Sequence, residues 1–486
     1  MSRGKCKDRN GIALEMLLHG GQVVAEALAN IYNRLLETGF ENTDWHTTFF
    51  NLLPKGGDLT KPENWRPIAI LPVCYKVFAK IVYTRLRPIL QGQQSNEQMG
   101  FQPRRNCEDA LFILETVVHK SVDKHMPLWM ISLDLQKAFD RVEWAPLTEA
   151  LTLQGVPSEY CSLIAVLYRN QVGSLRGADS FEITRGVRQG DVLSPLLFNA
   201  ALEQCMRRWK QGLSDHGIKV SNDNGAQRLT NVRFADDLII YANSLDELTA
   251  MVEALVQELG RAGLSLNSRK SKIFTLDEAY CSTAAPLFVD IADGMVEVVR
   301  GDDAHKYLGV SFPGQLRRRG HAALAYRLKC AWAKFYAFRT SLSNRHVDIA
   351  LRLRLFDAVV TPSALYGLST APLTAVMVER LAAVQRQMLR LMFGYVKAPD
   401  DTWADMHRRL SAKISSALAK FPLRLCADKL NNRKHKLSLK VADGSAPELV
   451  RILHAWDPAQ IIDNKLSERP CRMRGRPPAT WNTNLF

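Results

Sequence analysis

No stretch of the 486-residue chain holds 18 consecutive apolar residues, so a membrane-spanning helix is not expected. The charged-then-apolar leader of a secretory signal is missing from its first residues, and no such signal is inferred. The nine cysteines, at positions 6, 74, 107, 161, 205, 281, 330, 426 and 471, include no pair at CxxC spacing. That scatter argues against a zinc site, and the odd count argues for reduced thiols inside a cell. Internal repeats and low-complexity tracts are also missing. Acidic residues are scarce in one region only. Residues 311–486 carry 30 Lys and Arg against 12 Asp and Glu, whereas the 310 residues before them carry 34 against 37. The formal charge of +15 is therefore the balance of a rear at +18 and a front at −3. Such a rear points to a polyanion partner, nucleic acid first, with a merely well-solvated surface as the alternative.

The rest is ordinary globular material, 47% hydrophobic, and long enough for roughly two to four domains. The spacing of Val24, Leu28, Ile31 and Leu35 predicts helix across residues 1–50, and the Pro-, Gly- and Lys-rich stretch 51–75 reads as strands and loops. A helix is predicted from Asn106 through "CEDALFILETVVHK", a strand within "PLWMISLDL" at 127–135, and helices within 143–170. In "PLLFNAALEQCMRRW", Pro195 suits a first helical turn, and a helix over 245–262 should end at Gly263. From about residue 320 the pattern is almost wholly helical; Leu324, Leu328, Trp332, Phe335 and Phe338 share a face, with Arg327, Lys334 and Arg339 off it. The basic, proline-bearing tail "CRMRGRPPATW" is expected to be poorly ordered on its own.

Chemistry enters at "NVRFADDLIIYA", residues 231–242, where an apolar β-branched run is broken by Asp236 and Asp237. The pattern reads as two short buried strands joined by a tight turn. Asp is a good turn residue, which would account for the pair without further chemistry. A second carboxylate, Asp134, closes the apolar strand of "ISLDLQKAFD" about a hundred residues earlier, although a strand-end Asp can equally cap the next turn. Brought together, three carboxylates repel one another unless a divalent cation lies among them, and hard oxygen ligands favour Mg²⁺.

The segments "LDLQKAFDRVEW", "RGVRQGDVLSPLLFN", "FADDL", "GLSLNSRKSK" and "YLGV", in this order, resemble the motifs of reverse transcriptases of non-LTR (LINE-type) retrotransposons. "PKGGDLTKPENWRPIAILPVCYKVFAKIVYTRL" and "QMGFQPRRNCEDAL" resemble the fingers motifs of the same family. The similarity runs from about residue 10 to about residue 310, and more weakly through the helical rear. It implies an α+β right-hand polymerase with fingers at about 1–125, palm at about 126–310, helical thumb at 311–400 and a basic helical extension at 401–486. The reverse transcriptase domain as a whole would span about 45–312.

The resemblance further implies DNA synthesis on an RNA template from a 3′-hydroxyl primer, with two Mg²⁺ ions (Mn²⁺ as the substitute). Its partners would be template RNA, a DNA primer or target, deoxynucleoside triphosphates and a separate endonuclease supplying the nick, with no membrane. Asp134, Asp236 and Asp237 match the catalytic and metal-holding carboxylates, and Leu135 joins the metal and nucleotide sets. Phe139, whose type would also suit a core aromatic, matches the bulky residue beneath the sugar 2′ position. Gln189 and Gly190 match the pair beside the incoming nucleotide and template, with a simple turn as the alternative. Lys55 and Arg66 match triphosphate-binding cations, which exposed strand-end charges would resemble. Lys270, with Lys272 close by, matches a lysine that protonates departing pyrophosphate, and Tyr307, Leu308 and Gly309 resemble the primer-grip hairpin.

Two departures stand out. Cys107 occupies a position where the family commonly has Thr, and the chain opens just before the fingers, so the usual preceding nuclease domain is expected to be lacking. No Cys/His knuckle is seen in the rear. A truncated element copy, a split reading frame and a domesticated enzyme all suit this. An intracellular protein is expected, nuclear or cytoplasmic, with access to chromosomal DNA. A catalytically idle nucleic-acid-binding relic and an RNA-templated RNA polymerase are the rival readings; the FADD tip and Phe139 favour DNA synthesis.

Overall fold

The computed structural model describes all residues except 1–2, 5–6, 39–42, 176–178, 221–226, 282–286, 293, 396–401, 422 and 459–486. The tail "CRMRGRPPATW" therefore lies outside the described residues. Helices α1 (Leu14–His19), α2 (Gly21–Thr38) and α3 (Thr43–His46) lead into β1 (Thr47–Pro54), so the helical pattern of the first 50 residues gives way to a strand at Thr47. After β2 (Trp65–Ile70) comes α4 (Val73–Gly92), which begins inside the stretch read as strands and loops and covers residues to which no element was assigned. Its buried face, from Tyr75 through Phe78, Val82 and Leu86 to Leu90, is helical in spacing despite Pro88.

Next are α5 (Cys107–Asp123), β3 (Trp129–Leu133), α6 (Ala138–Arg141), α7 (Trp144–Leu153), α8 (Ser158–Tyr168), β4 (Gln171–Leu175), β5 (Phe181–Ile183) and α9 (Ser194–Gln211). The small pair β6 (Ile218–Lys219) and β7 (Arg228–Leu229) precedes β8 (Asn231–Phe234), β9 (Asp237–Ala242) and α10 (Leu245–Arg261). Then follow β10 (Lys272–Thr275), α11 (Glu278–Cys281), β11 (Phe288–Ile291), β12 (Gly294–Val298), β13 (Ala304–Tyr307) and β14 (Val310–Pro313). The rear consists of α12 (Arg319–Ala337), α13 (Arg339–Leu342), α14 (Ile349–Leu365), α15 (Ala375–Phe393), α16 (Trp403–Lys420), α17 (Cys426–Ala442) and α18 (Glu448–Ala455).

Six strands form one sheet in the order β11-β12-β10-β3-β9-β8, with β3 buried at every position. Its apolar residues alternate between two cores, as a strand covered on both faces requires. Met130, Ile239 and Tyr241 pack with α5 and the rear helices; Ile131, Leu133, Leu238 and Ile240 pack with α4, α9 and α10. A second sheet, β2-β1-β4-β5, draws two strands from residues 47–70 and two from 171–183, crossing the boundary expected near residue 125.

The rear folds back onto α5. Arg319 pairs with buried Glu115 at 2.6 Å, Lys440 with Asp109 at 2.5 Å, and Asn96 donates to Glu448 at 2.6 Å. The Lys120 ammonium donates to the carbonyls of Leu453, His454 and Trp456 at the end of α18. On α12, Arg327 lies off the apolar face by its spacing and is nevertheless only 8% exposed, whereas Phe338 lies past the helix end and is exposed. Among the described residues no helix is long and apolar enough to cross a membrane, and the seven described cysteines are free thiols.

Candidate active site

The FADD hairpin closes with a two-residue turn, Phe234 pairing with Asp237. Ala235 takes the left-handed conformation, φ 58°, which primed hairpin turns require and which a Cβ resists. The brace comes from the backbone and side chains of residues 97–100. The Met99 N–H donates to the Arg233 carbonyl at 2.7 Å and the Arg233 N–H to that of Glu97 at 2.9 Å. Buried Gln98 accepts at Oε1 from the N–H groups of Gly100, at 2.8 Å, and Ala235, at 2.9 Å. A Cβ at Gly100 would stand 2.3 Å from the Ala235 nitrogen, so only glycine fits there. Beneath the turn, buried Arg233 and Glu203 pair at 2.9 Å.

Strand β3 brings Asp134 to the same place. Leu133 pairs with Leu238, which sets Asp134 opposite Asp237 just past the ladder. The "GLSLNSRKSK" segment clamps it: the Asn267 amide donates to Asp134 Oδ2 at 3.0 Å, the Asn267 N–H to its carbonyl at 2.8 Å, and the Asp134 N–H donates to Ser271 Oγ at 3.1 Å. Burial, followed by the charges of Asp236 and Asp134, pushes Asp237 up to about 7. Burial also raises Asp236, with Asp134 adding to the shift and Arg66 opposing it.

Among the described residues no three His, Cys, Asp or Glu side chains close around one point as an ion's ligand set. The donor chemistry nevertheless fits a hard divalent cation: three mutually repelling carboxylates, beside a Leu135 carbonyl that takes no part in the bridge to Leu266. That bridge is made by the Gln136 N–H to Ser265 and the Asn267 N–H to Asp134.

A group of cations lies nearby, Arg66 close enough for its charge to reach Asp236. Burial first, then Arg66, Lys270 and Lys137, hold the Lys55 ammonium below its usual range, while Asp140 opposes them. Lys55 donates to the Glu63 carbonyl at 3.2 Å. Lys272 is engaged elsewhere, donating to Glu297 at 2.8 Å and to the Arg269 carbonyl at 3.0 Å, so of the two neighbouring lysines Lys270 is the one felt by Lys55. Gln189 donates to Asp140 at 2.8 Å and its carbonyl accepts from the Ala69 N–H at 2.7 Å, which ties the loop before α9 to β2. Gly190, at φ 109°, lies so close that a Cβ would stand 3.1 Å from the Ala69 oxygen. Phe139 is half-buried, its ring stacked on Phe198 at 4.4 Å.

Tyr307, Leu308 and Gly309 form the tip of the β13–β14 hairpin, with Tyr307 pairing with Val310. Leu308, φ 45°, and Gly309, φ 76°, both lie in the left-handed region, the type I′ requirement. The Tyr366 hydroxyl donates to the Leu308 carbonyl at 3.0 Å, and Arg327 donates to that of Gly309. Arg327 also stacks over Tyr366 at 4.8 Å and Tyr326 at 5.0 Å, and burial, with Cys107 close by, raises the Tyr366 hydroxyl. Tyr307 is buried, close enough to Asp237 to feel its charge.

The model of the reverse transcriptase (RNA-dependent DNA polymerase) family matches residues 53–312. The chain belongs to the reverse transcriptase family. It is 28% identical, over 281 residues, to the retrovirus-related Pol polyprotein from type-2 retrotransposable element R2DM of Drosophila melanogaster, an alignment covering 56% of this chain and 25% of that protein. Over 420 residues it is 26% identical to the Pol polyprotein from type-1 retrotransposable element R2 of Popillia japonica, covering 84% and 56%. The chain thus spans between a quarter and just over half of these relatives' length. Apo telomerase from Candida tropicalis superposes with a TM-score of 0.40 and 13% identity, over 85% of this chain and 68% of that one.

Several residues of the site take on their roles only in the folded chain. Lys137 lies inside a quoted motif, three positions after Asp134, but its left-handed backbone, φ 46°, and its place among the cations are tertiary facts. Gln98, Asn267 and Ser271 also fall within quoted motifs and act by holding the carboxylate-bearing segments. Arg327 and Tyr366 carried no local signal, because their acceptors lie 18 and 58 residues away along the chain.

Proposed function

We propose that the chain is an RNA-directed DNA polymerase that extends a 3′-hydroxyl primer on an RNA template. The observation that carries this reading is a cluster of three mutually repelling carboxylates, Asp134, Asp236 and Asp237, joined through Arg66, whose charge reaches Asp236, to a group of cations that includes Lys55, Lys137 and Lys270. A nucleoside triphosphate needs both, metal-bearing oxygens at the reacting phosphate and fixed positive charge along the leaving group. Asp134, Asp236, Asp237 and the Leu135 carbonyl would hold divalent cations, Mg²⁺ with Mn²⁺ as the substitute. When bound, such ions ease deprotonation of the primer hydroxyl and neutralise charge on the leaving pyrophosphate.

The protein's own groups do the rest. Arg66, Lys55 and Lys137 orient the triphosphate oxygens, Arg66 by paired N–H donors. Lys270 carries the proton that pyrophosphate takes up. Gln189 and Gly190 shape the loop beside the template, Phe139 lies beneath the sugar, and the Tyr307–Gly309 tip supports the primer end. The β2-β1-β4-β5 sheet acts as fingers, the six-stranded sheet as palm, and α12–α18 as thumb and basic extension. Template RNA, a DNA primer or target and deoxynucleotides are the partners.

Primer extension on an RNA template tests this, with deoxynucleotides and ribonucleotides supplied separately. Asp236→Asn should abolish extension while template binding persists, since phosphate contacts elsewhere dominate affinity. Residual extension within about tenfold of the wild type, against the roughly hundredfold or larger loss expected on removing charge stabilisation at the reacting phosphate, would overturn the metal-holding role. Ribonucleotide-only synthesis would favour an RNA polymerase, and binding without synthesis an idle relic.

A further inference from the structure

Phe139 has two aromatic neighbours of different character. Phe198, fully buried on α9, stacks face to face with it, interplanar angle 15°, and backs it from the core. Phe101 meets it edge-on at 6.3 Å and 74°, an offset that aromatic pairs favour. Phe101 is 52% exposed and sits in the left-handed region at φ 57°, a conformation that a bulky residue adopts only under constraint. The constraint is visible in the preceding residue. The Gly100 N–H is held by Gln98 and its carbonyl accepts from the Asn199 amide at 2.9 Å, both partners being buried. The loop that carries Phe101 is thus fixed by the groups that brace the FADD turn, and it presents half of a large apolar ring to solvent beside Phe139.

We propose that Phe101 is a specificity-determining residue for the nucleotide sugar, acting as a positioning residue through Phe139. This rests on the reading of Phe139 as the ring beneath the incoming sugar. Between Phe198 behind it and Phe101 at its open side, Phe139 has little room to tilt, so it stays where a 2′-hydroxyl would collide with it. Without Phe101 the ring can swing toward the vacated space and admit a ribose.

The test is the ratio of kcat/KM for a ribonucleotide to that for the matching deoxynucleotide, with thermal melting measured alongside. Phe101→Ala should raise the ratio about twofold to tenfold, the span of an aromatic pair's geometric preference, and Phe101→Tyr, which keeps the ring, should stay near the wild type. Should Phe101→Ala fail to fold, Phe101→Leu carries the same direction at the low end of that range, because its smaller side chain lacks the ring edge against Phe139 and leaves part of the space open. In a Phe139→Val background, Phe101→Ala should add nothing, as coupling through Phe139 demands. If Phe139→Val shifts the ratio and Phe101→Ala or Phe101→Leu does not, the role of Phe101 is overturned and that of Phe139 stands. If Phe139→Val leaves the ratio unchanged, or the wild type incorporates neither sugar, the underlying reading fails and this one with it.

Discussion

The two hairpins that meet at the candidate site, β8–β9 and β13–β14, have the same size of turn and draw their support from different parts of the chain. Both carry a non-glycine residue in the left-handed region, Ala235 in one and Leu308 in the other. The first tip bears two carboxylates and is braced by a neighbouring stretch of chain, residues 97–100, whose hydrogen bonds run to backbone groups. The second tip bears no charge and offers two carbonyls, each taken by one side chain from the rear helices. The first brace, part backbone and part the buried Gln98 side chain, lies in one adjoining segment of chain and admits only glycine at its closest approach. A side-chain brace moves with the helices that carry it. The carboxylates are therefore tied to the sheet, whereas the YLGV tip is tied to α12 and the end of α14.

Substitutions in the braces should separate the two modes. Gly100→Ala drives a Cβ into the Ala235 nitrogen and should displace the FADD turn. Extension should fall roughly a hundredfold, the effect of about an ångström of misplacement at a reacting centre. Primer-template affinity should hold within a few-fold, and undiminished extension would show that the turn does not depend on this brace.

Arg327→Met removes the Gly309 partner while keeping apolar bulk. A lost hydrogen bond to a charged group costs about 1.5–3 kcal/mol, so melting should fall, and KM for the primer should rise about tenfold with kcat changed little. An equal loss in both constants would place the effect at the carboxylates instead. Tyr366→Phe deletes a single neutral hydrogen bond to Leu308, worth about 1 kcal/mol. A rise in primer KM of up to about fivefold is expected, with no change in the response to deoxynucleotide concentration; a shift in that response would break the division between the two tips.

Much of the site's chemistry is local and can be read directly. The β8–β9 strand pair, the acid pair at its tip, Asp134 at the end of β3, and the helices beginning near Asn106 and at residue 245 all depend on neighbours within a few residues. In the fold Asn106 and Ser244 cap α5 and α10, accepting from the N–H groups of Asp109 and Glu247. The helix α4 went unassigned because β-branched residues and flanking prolines favour strand and loop readings until burial selects the helical face. Arg327 lies off the apolar face of α12 as its spacing indicates, and its burial is not legible there, because the carbonyl that receives its guanidinium belongs to a distant hairpin.

By itself, then, the sequence determined the short-range features: which strands carry carboxylates, that a tight turn divides the FADD run, and that the charge is concentrated in the last third of the chain. Tertiary structure alone decided the rest. It brought Lys137 beside Lys55 and closed the ring of Phe101 against Phe139. It also laid the basic rear over α5, so that α12–α18 share a core with the sheet instead of hanging from it as a separate charged arm. The reason is range. Propensity and periodicity act over one or two turns, whereas a charge or a buried donor is satisfied by whatever the folded chain brings within a few ångströms, whether 18 or 331 residues away.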